Sequence, residues 1–281
     1  MTREPRFKSS EWALILGASS GFGGATAIEL AKRGMNIFGV HLDRQATMPA
    51  VQQILKEIKH AGARAVYFNI NAADAIKRAE TLDEIKERFN VETNNCVKVL
   101  VHSLAFGTLK PFICKKVEEE ITQAQMEMTL DVMAHSLIYW VQGLINRNLM
   151  RSGARIFGLT SSGAHSVIPS YGAISAAKAA LESHIRQLSM ELGPLGITAN
   201  AILAGVTETP ALKKIPGAAN MVQVAKLKNP QHRLTLPEDV ARAIALLSQD
   251  ESYFISGNVI GVDAGEDKVG YVSLKSSSHS E

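Results

Sequence analysis

Trp12-Ala-Leu-Ile-Leu16-Gly17-Ala-Ser-Ser-Gly21-Phe-Gly23-Gly24 is the stretch that decides the fold of this 281-residue chain. Five apolar residues run without a break into a glycine, the pattern of a parallel strand buried on both faces. Residues 25–33 then place apolar side chains at helical spacing, and the run stops at Gly34, a residue suited to the left-handed position that closes a helix. Between strand and helix, glycines let the backbone turn tightly and come close to a pyrophosphate, whose charge the helix N-terminus favours. In that context the turn reads as a dinucleotide cradle with Gly17, Ser19, Ser20, Gly21, Phe22 and Gly23 as its contacts. A glycine-rich connection without a ligand is the alternative.

The alternation continues outward. Strands are expected at 36–42, 65–70, 97–103, 154–160, 198–202 and 257–262, and helices at 48–61, 75–89, 121–150, 172–192 and 237–248. Strands separated throughout by helices specify an α/β fold, a doubly wound parallel sheet of Rossmann type in three layers. A chain of this length fits one such domain, taken as residues 11–266. Residues 1–10 read as a flexible lead and 267–281 as a flexible tail. Residues 204–233 contain Pro210, Pro216, Gly217 and Pro230 and have weak periodicity, so they are expected to form a lid that orders over a ligand.

The composition removes several function classes. Hydrophobic residues make up 46% and charged residues 20%, and no apolar run reaches the roughly 18 residues that span a bilayer. The net charge of +3 is spread along the chain, which gives no nucleic-acid footprint. Cys96 and Cys114 form neither a disulfide framework nor a metal motif, and His102, His135 and His165 have no metal-ligand spacing. No metal is expected. The N-terminus lacks a secretory pattern, so a cytoplasmic location is the default. Met126, Met128 and Met133, at near-helical spacing, read as core or subunit contacts.

Strand ends at the carboxyl edge of such a sheet are where ligands bind. Further cofactor contacts are expected at His41, Asp43, Arg44, Asn69, Ser103, Leu104, Ala105, Ala204, Gly205 and Thr207. After the second strand, Asp43 suits the ribose hydroxyls of NADH, whereas Arg44 suits the 2′-phosphate of NADPH. The reading leans to NADPH and keeps NADH open.

Ser161-Ser162 closes the fifth expected strand, and Pro169-Ser170-Tyr171 leads into Gly172-Ala-Ile-Ser-Ala-Ala-Lys178. With the glycine turn, Val101-His102-Ser103-Leu104-Ala105 and Asn200-Ala-Ile-Leu-Ala-Gly205, these residues resemble the short-chain dehydrogenase/reductase family over about residues 11–265. Most of that family has Lys four positions after Tyr, whereas here the separation is seven. The wider spacing resembles the enoyl-acyl-carrier-protein reductase branch, as do Leu130-Asp131-Val132 and 209–217. The resemblance implies a catalytic Tyr171 and Lys178, with Lys178 also holding the nicotinamide ribose. It implies a second hydroxyl ten positions before Tyr171, at Ser161, with Ser162 as the other candidate. It further implies a homotetramer, a role in fatty acid biosynthesis and a fatty-acyl thioester substrate that an acyl carrier protein could present.

Seven helical residues rise about 10.5 Å against about 6 Å for four, yet return to nearly the same face. Such a displaced tyrosine suits hydride delivery to the β-carbon of a trans-2-enoyl thioester, with Tyr171 stabilising the enolate oxygen. Two alternatives stand beside this reading: a carbonyl or alcohol oxidoreductase such as a 3-ketoacyl reductase, and a non-catalytic nucleotide-binding regulator. The helices 121–150 and 172–192 carry more apolar residues than one buried face needs, Trp140, Ile138 and Leu144 among them, and are expected to form a subunit interface.

Overall fold

The computed structural model describes residues 7–91 and 94–270. Seven parallel strands lie in the order β3-β2-β1-β4-β5-β6-β7. They are β1 (Glu11–Leu16), β2 (Asn36–His41), β3 (Ala65–Asn69), β4 (Cys96–His102), β5 (Arg155–Thr160), β6 (Thr198–Ala204) and β7 (Val259–Val262). The order reverses between β1 and β4, which opens a crevice above their carboxyl ends. The fold is the doubly wound sheet that the sequence specifies.

Strand alternation feeds two cores. From β1, Trp12, Leu14 and Leu16 join one cluster, whereas Ala13 and Ile15 join the other. The first cluster is closed by α3 (Ala75–Val91), α5 (Ser136–Asn146) and α6 (Gly172–Leu192), through Leu82, Ile85, Trp140, Leu144, Leu181 and Ile185. The second is closed by α1 (Gly21–Lys32), α2 (Met48–His60) and α8 (Pro237–Leu247), through Leu30, Ile58 and Ile244. Helices on both faces bury every central strand, which is why those strands read as unbroken apolar runs.

Four expectations are corrected. The helix expected at 121–150 runs from α4 (Gln123–Leu130) through a π-helical turn (Asp131–His135) into α5. Thr122 caps its start, accepting from the Gln125 amide while Gln125 returns a bond to the Thr122 amide. The Ser136 hydroxyl back-bonds to the Val132 carbonyl inside the turn.

Second, Trp140 and Leu144 are fully buried within the monomer, and the Trp140 indole donates to the Ala72 carbonyl at 2.9 Å. These two side chains thus belong to the core, whereas Ile138 is only partly buried against it and Tyr139 is exposed. Third, the chain is anchored earlier than expected. Phe7 is buried with its amide bonded to the Arg33 carbonyl, and the Asn36 side chain donates to the Ser9 carbonyl. Fourth, Asp267 is held in place rather than starting a tail: its amide bonds to Asp263 and its carboxylate to His165. The rest of the expected lead, 1–6, and of the tail, 271–281, lies outside the described residues. Within the lid region sits a helix that weak periodicity concealed, α7 (Ala218–Lys228), introduced by Gly217 with φ of 78°.

Candidate active site

The glycine turn is built so that side chains are excluded. Gly17 has φ of 90°, and a Cβ there would lie 2.6 Å from the Ser103 carbonyl oxygen. A Cβ at Gly23 would collide with the Gly17 carbonyl, which fixes how closely α1 follows the end of β1. Ser20, the residue before α1, makes no side-chain cap. The amides of the first helical turn are therefore left for an incoming acceptor. Phe22 packs partly against the second core. From the lid region, Thr209 reaches to 3.4 Å from where a Gly21 Cβ would stand, so that segment already lies beside the turn.

The second strand ends in a polar cluster. The Asp43 carboxylate bonds to His41 at 2.9 Å, and its backbone exchanges hydrogen bonds with the Asn69 side chain in both directions. Burial pushes the Asp43 carboxyl up, but hydrogen bonds from Thr47, Ser19 and His41 outweigh this and hold it below the usual range. Its carboxylate is bonded to His41 through one oxygen. Arg44 beside it is exposed. Ser103, Leu104 and Ala105 follow β4, with Leu104 near Gly17. Ala204 ends β6, and Gly205 and Thr207 follow it. The Thr207 hydroxyl is buried and bonded toward the Gly205 and Thr235 carbonyls.

At the same edge, Tyr171 stands immediately before α6 and is 9% exposed. Burial raises its phenol pKa, and the Ser161 hydroxyl opposes that effect. The two meet over Gly163: a Cβ there would lie 2.7 Å from the Tyr171 ring and 3.2 Å from Ser161 Oγ. Ser161 Oγ is buried and makes no hydrogen bond of good geometry, whereas Ser162 opens a 3₁₀ turn (Ser162–Ala164) whose amides and carbonyls fold back on themselves. The structure therefore brings Ser161, rather than Ser162, to Tyr171. The Lys178 ammonium is buried, donates to the Leu159 carbonyl at 2.6 Å, and is pushed down to about 8 by desolvation, with Glu182 acting the other way. Glu182 accepts from the Thr160 hydroxyl at 2.7 Å. This carboxylate was missed in the sequence, although its i,i+4 relation to Lys178 is the signal that could have found it.

Around this centre the histidines are tied to protein partners. His102 is fully buried, bonds to Ser136 at 2.9 Å, and is pushed down to about 3 by burial first and by Lys178 second. His135 and His184 bond at 3.0 Å, and His165 pairs with Asp267. No metal-holding group occurs among the described residues, and no helix among them is long and apolar enough to cross a membrane. A cavity of about 720 Å³ lined by Trp12, Arg64 and Phe89 sits at the opposite end of the strands, away from all these residues.

A reversed parallel sheet, a glycine turn at its switch point and a Ser–Tyr–Lys cluster on the carboxyl edge define a Rossmann-type oxidoreductase. The family model described as enoyl-(acyl carrier protein) reductase matches residues 17–266, and the chain belongs to that family of short-chain dehydrogenases/reductases, which use NAD or NADP. The chain is similar to the versicolorin reductase of Emericella nidulans, 27% identical over 90% of this chain and 94% of that protein. It is also similar to a promiscuous reductase that catalyses keto-reduction at C1 during lugdunomycin biosynthesis, 26% identical over 92% of this chain and 98% of that one, with a TM-score of 0.77. The enoyl-acyl-carrier-protein reductase of Anaplasma phagocytophilum, solved with NAD, superimposes with a TM-score of 0.81 over 98% of both chains. At 21% identity, that last likeness speaks for the fold alone.

Proposed function

We propose that this chain reduces a ketone to an alcohol, with Tyr171 as proton donor, Ser161 as second hydroxyl and Lys178 as the buried cation behind them. The adjacency of Ser161 Oγ and the Tyr171 ring at Gly163, with the Ser161 hydroxyl acting on the phenol, carries this reading, because two neighbouring hydroxyls suit a single carbonyl oxygen. A reduced nicotinamide, when bound at the crevice, supplies the hydride. Burial keeps the Tyr171 proton on the phenol, and that proton then goes to the oxygen as the carbonyl carbon gains hydride. Lys178, as a cation, favours the negative charge that develops there. The similarity to the versicolorin reductase and to the keto-reducing lugdunomycin enzyme supports the same reading.

One observation favours the other substrate class. The seven-residue separation of Tyr171 and Lys178 and the description of the matching family suit a trans-2-enoyl thioester, with Tyr171 on the enolate oxygen. Oxidation of NADPH followed at 340 nm decides between them. A polycyclic ketone and a 3-ketoacyl thioester are expected to drive it, and a trans-2-enoyl thioester is not. Turnover of the enoyl substrate alone would transfer the site to fatty acid synthesis, and turnover of none would leave a nucleotide-binding regulator.

Lys178 also sets a pH dependence. Its cation is lost as pH rises through about 8, so kcat is expected to fall above that pH; a flat profile from pH 7 to 9.5 removes the cation from the mechanism. Stability moves oppositely. A lysine with a depressed folded-state pKa binds fewer protons folded than unfolded between about 8 and its ordinary value, so over that window its contribution to stability rises with pH.

For the cofactor we propose NADPH, supported by the exposure of Arg44 and by the hydrogen bond that ties the Asp43 carboxylate to His41. Arg44→Ala is expected to raise the KM for NADPH roughly tenfold, the scale of one lost charge-assisted hydrogen bond, and to leave that for NADH unchanged. Equal effects on both would remove the assignment. The homotetramer belongs to the same proposal and is checked by light scattering, where a monomer would exclude it.

A further inference from the structure

Two side chains from one turn at the C-terminal end of the described chain reach the two walls of the cleft. Asp267 Oδ1 accepts from His165 Nε2 at 2.9 Å, and His165 closes the 3₁₀ turn between Ser161 and Tyr171. Next to it, Glu266 Oε1 accepts from the Val206 amide at 3.1 Å, and Val206 lies between Gly205 and Thr207. The Asp267 side chain is shielded, at 8% exposure, and Glu266 is buried, although the His165 side chain is half exposed. The seat for Glu266 exists because residue 205 is glycine: a Cβ there would collide with the Thr235 hydroxyl and stand 3.1 Å from Glu266 Oε2.

The turn is stiff for reasons in its own sequence. Asp263 accepts from the Gly265 amide at 3.1 Å and from the Asp267 amide at 2.8 Å. Ala264 and Gly265 both take left-handed backbone, with φ of 53° and 87°. The far end of the lid region is tied to the same place, through the Asn229 side chain donating to the Asp263 carbonyl at 3.1 Å. Outside, Lys268 pairs with the other Asp267 oxygen at 3.1 Å.

We propose that the turn Glu266–Lys268 is a brace that sets both walls of the cleft, and that Asp267, His165 and Glu266 are positioning residues for the reaction. The inference rests on reading 161–171 as the catalytic loop and 204–207 as cofactor contacts. The two arms act on different steps. The Asp267–His165 arm holds the loop that carries Ser161 and Tyr171, so it governs the chemical step. Glu266 holds the backbone at Val206, so it governs cofactor affinity.

The test separates these arms. Asp267→Ala and His165→Ala are each expected to lower kcat about tenfold while NADPH affinity, read by cofactor fluorescence, stays within twofold. Combining them should add little, because they remove one bond. Glu266→Ala is expected to weaken NADPH binding about tenfold. Asp267→Asn and Glu266→Gln retain an acceptor oxygen and should restore most of what alanine loses. His165→Ala changes a half-exposed side chain, so it keeps the test sound should a buried substitution unfold the protein. Amide hydrogen exchange of residues 162–170 should quicken in both loop-arm variants. If no variant changes kcat, affinity or exchange, or if every variant loses kcat and affinity together in proportion to a fall in Tm, the brace is wrong. If the wild type turns over no substrate, the functional reading fails while exchange and NADPH affinity still decide the brace.

Discussion

Replacing Tyr171 by Phe lowers kcat by about 10²–10⁴-fold, the range for loss of a positioned proton donor, and leaves NADPH affinity unchanged. The substitution keeps the ring that packs over Gly163 and deletes only the hydroxyl. Protein stability should therefore hold, which isolates the chemical step. Stopped-flow oxidation of bound NADPH with the preferred ketone gives the rate, and fluorescence titration gives the affinity. The outcome also discriminates between substrate classes. A ketone needs the phenolic proton at the oxygen that leaves as alcohol, whereas an enolate can later be protonated at carbon by water. A loss under about tenfold would point to the second case or exclude Tyr171 altogether.

Gly23→Ala is expected to abolish measurable NADPH binding. The added methyl would collide with the Gly17 carbonyl oxygen, and neither backbone can withdraw without opening the strand-to-helix turn. Overpacking of this kind costs about 1–3 kcal/mol, which for a domain of this size lowers Tm by roughly 3–10 °C. Gly62→Ala supplies the contrast. Gly62 has φ of 81° with nothing within 4 Å of its missing Cβ, so alanine there strains the backbone alone and should leave cofactor affinity untouched. Wild-type NADPH affinity in Gly23→Ala would move the phosphate site elsewhere.

Much of this architecture is legible in the sequence because it is encoded locally. Apolar runs give the strands, helical spacing gives the helices to within a few residues, and the Gly17–Gly24 turn announces itself between Leu16 and the helix that follows. Tyr171 and Lys178 share a helix start, so their relation can be counted. What depends on partners distant in sequence could not be counted. Trp140 looks like interface material until the Ala72 carbonyl is found to take its indole proton. His165 looks like a loop residue until Asp267, 102 positions later, is seen beside it. Choosing Ser161 over Ser162 required the path of the 3₁₀ turn, which follows from how residues 161–171 pack as a unit. The substrate class was the least legible part. The Tyr–Lys spacing pointed to an enoyl group, whereas the hydroxyl pair and the relatives at 26–27% identity favour a ketone.

The turn at 263–268 gives this enzyme a particular order of birth. During synthesis the glycine turn emerges before the Ser–Tyr–Lys cluster, and the turn at 263–268 emerges after both. A nascent chain ending near residue 230 would carry the glycine turn, Ser161, Tyr171 and Lys178 while lacking β7 and the turn at 263–268. Parallel sheets fold late because their pairings span long loops, and here β7 adds the last strand to the sheet. Activity is thus expected only in chains that have completed β7 and this turn, rather than growing steadily with chain length.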